Sequence, residues 1–300
     1  MKRIPNFKLS FFVLLLLVSL ISMGEPNELS PYQPLIRRLS EDGFESEFLS
    51  HLFMDSRAKP DLDRMALSLD STETVDLYEQ FFTPGSISSA RNFLRENLKL
   101  LRKAEKRFEV EKEVVVAILL VESRFGENIG KYRVIPTLAT MALMGSPEHL
   151  SKIYTILRER DPDLSYEWVE ALAKKRAEWA YQELRCFLKI IRHEPIDPLE
   201  IYGSYAGALG MAQFIPSSYL HYALSQKGLG NWLLSKEESI LSIGNYLKSH
   251  GWKRGLSIEK KKKILWSYNQ SPPYIETILE IAKKIKPTPR RKTERSKSLE

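Results

Sequence analysis

One carboxylate stands in apolar company. Residues 114–126 read Val-Val-Val-Ala-Ile-Leu-Leu-Val-Glu-Ser-Arg-Phe-Gly. Val115, Ile118, Leu119 and Glu122 recur at i, i+3, i+4, i+7, so Glu122 shares the helical stripe that should face a core, and Gly126 is the stop signal. A glutamate there is costly to ionise, so its pKa should rise and it should hold a proton near neutral pH. That is the state a general acid needs. Position alone also allows a helix-end glutamate paired with Arg124 or another cation.

A second stretch is rich in small residues: Gly203-Ser-Tyr-Ala-Gly-Ala-Leu-Gly-Met-Ala-Gln-Phe-Ile-Pro-Ser-Ser218. Such residues let a backbone approach a neighbour or a ligand closely. It is a poor phosphate loop, because no Gly-Lys-Ser/Thr follows and no hydrophobic strand leads in. The five histidines (51, 149, 193, 221 and 250) form no motif, so neither a Ser-His hydrolase nor a histidine-rich metal site is supported. What recurs instead is a set of neutral hydrogen-bonding and aromatic residues: Ser204, Tyr205, Gln213, Tyr219, Tyr246, Tyr268, Asn269 and Tyr274. Rings and neutral polar groups suit a carbohydrate.

The elements that must position these residues read as helices. Residues 44–54 make a short amphipathic helix, and Pro60 interrupts the chain. Thr83-Pro84-Gly85-Ser86 is a turn from which Ser86 or Ser88 could cap a long helix carrying Phe93, Leu94, Leu98, Leu101 and Phe108. Helical periods recur over 147–160, 165–192, 237–250, 260–268 and about 273–285. Few alternating strand patterns occur, so the fold class is mainly α. Cys186 is the single cysteine, so no internal disulfide forms, and its place in a helical pattern suits a small core residue better than a nucleophile.

The ends differ from the body. Lys2, Arg3 and Lys8 precede an apolar run from Leu9 to Met23, with small residues Ser22 and Gly24 at the cleavage positions, which is the layout of a secretory signal peptide. An uncleaved membrane anchor is the alternative. The first 24 residues carry +3 and the last 20 carry +6 of the +7 total, so the body between them is net −2. A nucleic-acid role is therefore not indicated, and the basic tail reads as disordered.

Together these pieces resemble the lytic murein transglycosylases of the membrane-bound B type. The match rests on Ala117-Ile-Leu-Leu-Val-Glu-Ser-Arg-Phe-Gly126 followed by Gly130-Lys-Tyr-Arg133 and Thr137-Leu-Ala-Thr140. It rests also on residues 203–219, on Ser242-Ile-Gly-Asn-Tyr-Leu247 with His250-Gly-Trp252, and on Tyr268-Asn-Gln-Ser271 with Tyr274. Phe81-Phe-Thr-Pro84 adds a weaker match upstream. The resemblance implies a lysozyme-like catalytic core with an N-terminal helical lobe, acting on peptidoglycan glycan strands. The expected division is a signal peptide over 1–24, an N-terminal helical region over 25–112, the core over 113–285 and a disordered basic tail over 286–300.

The resemblance makes Glu122 the catalytic acid. It places Ser204, Tyr205, Gln213, Tyr246, Tyr268, Asn269 and Tyr274 along the sugar groove, and adds Arg176 and Trp179 from Arg176-Ala-Glu-Trp179. It also implies a periplasmic, monomeric enzyme with no cofactor, with cell-wall enzyme complexes as further candidate partners. One departure concerns metal: relatives often carry an Asp-rich calcium loop after the Pro-Ser-Ser-Tyr segment. Here it is Ser225-Gln-Lys-Gly-Leu-Gly-Asn-Trp232, without an acidic ligand, so no calcium site is expected and Trp232 should hold the loop by packing. The other departure is Arg124-Phe125, where a tryptophan or tyrosine often sits in relatives; aromatic character survives. Two rival readings share the fold: a hydrolytic muramidase and a non-catalytic peptidoglycan-binding scaffold. For the first, Glu127 lies about 140° around the helix from Glu122 and past its stop, poorly placed as a partner carboxylate.

Overall fold

A computed structural model describes residues 30–69 and 74–287. The expected signal peptide and most of the expected basic tail lie outside these residues. The chain opens with α1 (Gln33–Glu41), α2 (Ser46–Met54), a 3-10 turn at Ser56–Ala58, α3 (Leu62–Leu69) and the short α4 (Asp76–Glu79). Next come α5 (Pro84–Glu96), α6 (Leu98–Phe108) and α7 (Lys112–Ser123). A two-residue strand β1 (Tyr132–Arg133) leads into α8 (Val134–Leu143), α9 (Pro147–Arg158) and the long α10 (Tyr166–Ile191). After β2 (Tyr202–Gly203) come α11 (Pro216–Tyr222), α12 (Leu229–Trp232), α13 (Lys236–Ser249), α14 (Ile258–Tyr268) and α15 (Pro272–Ile285). The class is mainly α, as expected.

The helix α7 is the axis of the fold. Every residue from Val114 to Leu120 is buried, so this helix is apolar all round and needs partners on all sides. The helices α5, α6, α13 and α15 supply them. A second layer is built on α10, which packs along α8 and carries α11 near its end. The N-terminal helices join this layer through α1 on α8 and α3 on α8 and α9.

Two local expectations are corrected. The helix after the turn at residue 83 is capped by Thr83, whose hydroxyl accepts from the Ser86 main-chain N–H at 3.2 Å, and not by Ser86 or Ser88. Ser86 instead donates its hydroxyl to the Gln80 carbonyl at 2.8 Å. That long helix is also broken at Asn97, whose backbone leaves helical angles and whose side-chain amide donates to the Phe93 carbonyl. The amide competes with the helical ladder, which is why asparagine is poor inside helices.

The one sheet among the described residues is the antiparallel pair β1–β2, with Tyr132 opposite Gly203 and Arg133 opposite Tyr202. Two residues per strand are too few to alternate, so no period could announce it. The approach is close because Gly130 lacks a side chain: a Cβ there would lie 1.9 Å from the Gly203 carbonyl oxygen. Cys186 is half-buried, and burial pushes its thiol above the ordinary range, which suits an inert packing residue.

Candidate active site

Glu122 occupies the last turn of α7, where the helix leaves the core. It is half-buried rather than enclosed. Beyond it the chain turns sharply, with Arg124 at φ 49° and Phe125 at φ 62°, both in the left-handed region. Two consecutive non-glycine residues there cost of order 1–3 kcal/mol each. Packing on both holds them. The Phe125 ring stacks on Phe93 at 4.3 Å between centroids, and Arg124 donates to Gln80 Oε1 at 2.5 Å while lying over the Phe81 ring.

Glu122 takes a hydrogen bond from the Tyr274 hydroxyl, 2.6 Å from its Oε1. Tyr274 is 1% exposed at the start of α15. Burial, and then the charge of Glu122, push the Tyr274 hydroxyl well above the ordinary tyrosine range. It therefore stays protonated and remains a donor. The Tyr268 hydroxyl is pushed up by the same two causes, and it donates to the Ala212 carbonyl at 2.5 Å. The Tyr246 hydroxyl donates to the Ser267 carbonyl at 2.5 Å. Tyr268 stacks nearly parallel to Tyr274 at 6.4 Å, and Tyr246 stands edge-on to Tyr268 at 4.9 Å.

The glycine-rich stretch forms the facing wall. The Ser204 main chain bonds the Ala208 carbonyl, and Leu209 and Phe214 exchange N–H and C=O groups across a tight turn. Ser204 Oγ accepts from the N–H groups of Ala206 and Ala208 at 3.2 and 3.0 Å. Gln213, at φ 48°, donates its side-chain amide to the carbonyls of Gly210 and Ile129 at 2.8 and 3.2 Å. A hydroxyl has two lone pairs and one proton, and an amide NH₂ has two protons. Ser204 is thus left a donor, and Gln213 is left an acceptor through Oε1.

Ser123, missed in the sequence, ties the two walls together. Its Oγ donates to the Met211 carbonyl at 2.8 Å and accepts from the Gly126 N–H at 3.0 Å. The signal was there: Ser123 is a hydroxyl on a helix without a polar face. Tyr78 was missed too; it stands edge-on to Tyr274 at 6.3 Å and brings α4 to the site. Tyr222 and His250 both pack on the Tyr246 ring, at 4.8 and 4.2 Å. Further back, buried Glu183 of α10 accepts from the Ser217 N–H and hydroxyl, both at 2.8 Å, and so holds the start of α11. Burial pushes its carboxyl above the ordinary glutamate range.

Asn269 ends α14 beside Tyr268 and is half-buried in an extended backbone. Tyr205 is 45% exposed at the tip of the glycine-rich turn. Arg176 lies over the Trp179 ring at 5.5 Å on α10, and no described hydrogen bond or ring contact joins this pair to the Glu122 cluster. Glu127 is exposed beyond the end of α7.

In the loop over residues 225–232, Trp232 is fully buried and donates its indole N–H to Ser242 Oγ at 3.0 Å. Main-chain N–H groups of Leu229 and Gln226 donate to Glu194 and Glu238. One buried oxygen, Glu238 Oε2, has no hydrogen-bond partner. A calcium ion takes six to eight oxygens, several from carboxylates. Among the described residues there is no group of three or more His, Cys, Asp or Glu side chains that could hold a metal ion.

The sequence is 34% identical over 178 residues to membrane-bound lytic murein transglycosylase B of Escherichia coli K12. The aligned part is 59% of this chain but 42% of that protein, so the chain matches less than half of the relative's length. Among solved structures, the E. coli lytic transglycosylase Slt35 in complex with calcium superposes with a TM-score of 0.66 at 22% identity, covering 88% of this chain and 98% of that one. SltB3 of Pseudomonas aeruginosa in complex with NAG-NAM-pentapeptide superposes with a TM-score of 0.62 at 20% identity, covering 86% and 79%. These two share the fold. Residues 29–264, most of the chain, match the family described as Transglycosylase SLT domain, and the chain belongs to that family.

Proposed function

We propose that this protein is a lytic transglycosylase that cleaves the β-1,4 bond between N-acetylmuramic acid and N-acetylglucosamine in peptidoglycan. The observation that carries the reading is the Glu122–Tyr274 pair. It is a half-buried carboxyl held at one oxygen by a hydroxyl that burial keeps protonated. It stands where the helix end meets a loop of preset donors and acceptors. Family membership and the named activity of the E. coli relative support the same reading.

In this reading Glu122, protonated, gives its proton to the glycosidic oxygen. The acetamide of the muramic residue supports the developing positive charge at C1, in place of the second carboxylate that most glycosidases use. Ser204 as donor and Gln213 as acceptor are complementary to the C=O and N–H of an acetamide, and Asn269 is a further candidate for orienting it. Glu122, now a carboxylate, takes the proton of the same sugar's C6 hydroxyl. That oxygen closes on C1 to give a 1,6-anhydro ring. Glu122 ends protonated again, and no water is consumed. Holding the nucleophile within the same residue converts a bimolecular step into an intramolecular one.

The apolar run at the N-terminus supports export to the periplasm, with the glycan strand and its attached peptides as the substrate. Among the described residues no helix is long and apolar enough to cross a membrane. The test is a digest of purified peptidoglycan by the protein, read by mass spectrometry. Products ending in 1,6-anhydro-N-acetylmuramic acid are expected. Ends heavier by one water would make it a muramidase, and binding without any product would make it a scaffold.

A further inference from the structure

The helix α14 turns a mixture of cations and apolar side chains outward. Ile264 and Leu265 are buried against the protein. At about 100° per residue, the arc opposite them carries Trp266 and Lys263, flanked by Ile258 and Lys260. Trp266 is 44% exposed and Ile258 50%. Six cations and one anion, Glu259, stand between residues 253 and 263, in a chain whose body is net −2. Two of the six are paired, Lys261 with Glu111 and Lys262 with Glu276. Lys253, Arg254, Lys260 and Lys263 are exposed and form no ion pair among the described residues. The Lys248 ammonium, and at longer range Arg254 and Lys253, hold the Glu109 carboxyl below its ordinary range, but the ion pair of Glu109 is with Lys248.

Cations alone would fit any polyanion, and a single exposed ring would need no explanation. Together they form the pattern of a surface that lies in a membrane interface, where tryptophan sits at the headgroup level and basic side chains meet anionic lipid. The chain continues the same charge. Lys286 lines, together with Ile258, the cleft where α14, α15 and the start of α7 meet. The sequence after Pro287 holds Arg290, Arg291, Lys292, Arg295 and Lys297. Arg290 follows Lys286 by four residues, so covalent geometry keeps it within about 14 Å of that residue. We infer that the outer face of α14 docks on an anionic phospholipid surface, with Trp266 and Ile258 seated among the headgroups. Lys253, Arg254, Lys260 and Lys263 then meet the phosphates. Tyr268, a member of the aromatic wall at the candidate site, lies about 160° around the same helix from Trp266. Docking by this face therefore leaves that wall turned away from the lipid, open to a polymer beyond it.

The test reads Trp266 itself, because an apolar run such as residues 9–23 can bind lipid on its own. The full chain is titrated at low salt with vesicles of phosphatidylcholine and bromine-labelled phosphatidylglycerol, and tryptophan fluorescence is followed. Trp232 and Trp252 are buried out of reach, and the quenching owed to Trp266 is the part lost in Trp266→Phe. That part is expected to be present and to fall with added salt. It should need about tenfold or more lipid in the double variant Lys260→Glu/Lys263→Glu, because each basic side chain near an anionic leaflet adds to the attraction. All three substituted side chains are exposed, so both variants should melt like the wild type. No quenching that depends on Trp266 overturns the docking face, even where the protein sediments with the vesicles. Quenching that is as strong with labelled phosphatidylcholine alone, or that ignores the charge reversal, overturns it as well. Binding to heparin without Trp266-dependent quenching by lipid would assign the face to a soluble polyanion instead.

Discussion

The Ser123 hydroxyl is the sharpest point at which to press on the site. Replacing Ser123 by alanine removes one donor and one acceptor at once, and it does so at a position 1% exposed. The Met211 carbonyl loses its partner in a residue that is itself buried, while the Gly126 N–H keeps the Ser123 main-chain carbonyl, also at 3.0 Å. An unsatisfied buried group costs about 1–3 kcal/mol. Taking the penalty for Met211 alone gives about 1–3 kcal/mol. In a domain of this size each kcal/mol lowers Tm by roughly 2–4 °C, so Ser123→Ala should melt about 2–12 °C below the wild type. The second readout is catalysis. Ser123 fixes the wall carrying Ser204 and Gln213 against the helix carrying Glu122, and a misplacement of about 1 Å can cost on the order of 100-fold. We expect kcat on purified peptidoglycan to fall at least tenfold, with KM changed less. A melting temperature within about 1 °C of wild type would refute the bridging role. A lowered Tm with kcat intact would refute the claim that the bridge sets the geometry of the acid.

Two further substitutions probe chemistry and pH. Glu122→Gln should keep the fold, since a glutamine oxygen can still accept from Tyr274, while turnover drops by ~10²–10⁴-fold; activity within a few-fold of wild type removes Glu122 from the mechanism. Glu183 has a folded-state pKa raised by burial. Its contribution to stability is therefore fully present below the unfolded-state pKa and is lost as pH rises through the raised value. Urea melts from about pH 4 to about pH 8 should show this decline in the wild type and a flatter profile in Glu183→Gln. Equal slopes in both proteins would show that Glu183 is not the group responsible.

Much of this architecture could be read from periodicity, because α7, α9, α10, α13 and α15 each carry enough turns for an apolar stripe to show. What could not be read were features with no period. The β1–β2 pair has two residues per strand. The left-handed turn at Arg124 and Phe125 uses residues that do not advertise positive φ, and it is held by Phe93 and Gln80, about 30 and 40 positions upstream. Glu122 was legible as an ionisable residue on an apolar stripe. Its partner was not legible as a partner: Tyr274 could be placed along the groove, but nothing local said that its hydroxyl would end on the acid. Arg176 and Trp179 show the opposite case, since the motif that nominated them gives no tie to the acid. Ser123 and Tyr78 went unnoticed because each acts through a neighbour distant in the chain.

The order in which the chain emerges gives the Glu122–Tyr274 bond a temporal meaning. The acid is made early and its tyrosine 152 residues later, on the last described helix. Until α15 docks against α7, Glu122 lacks that hydroxyl and the wall of rings lacks its last member. A chain threaded from its N-terminus across a membrane would thus carry its acid for most of the passage without the group that orients it. Proteolytic removal of the last helix would return the protein to that unfinished condition, which makes the C-terminal end a natural point at which to disarm it.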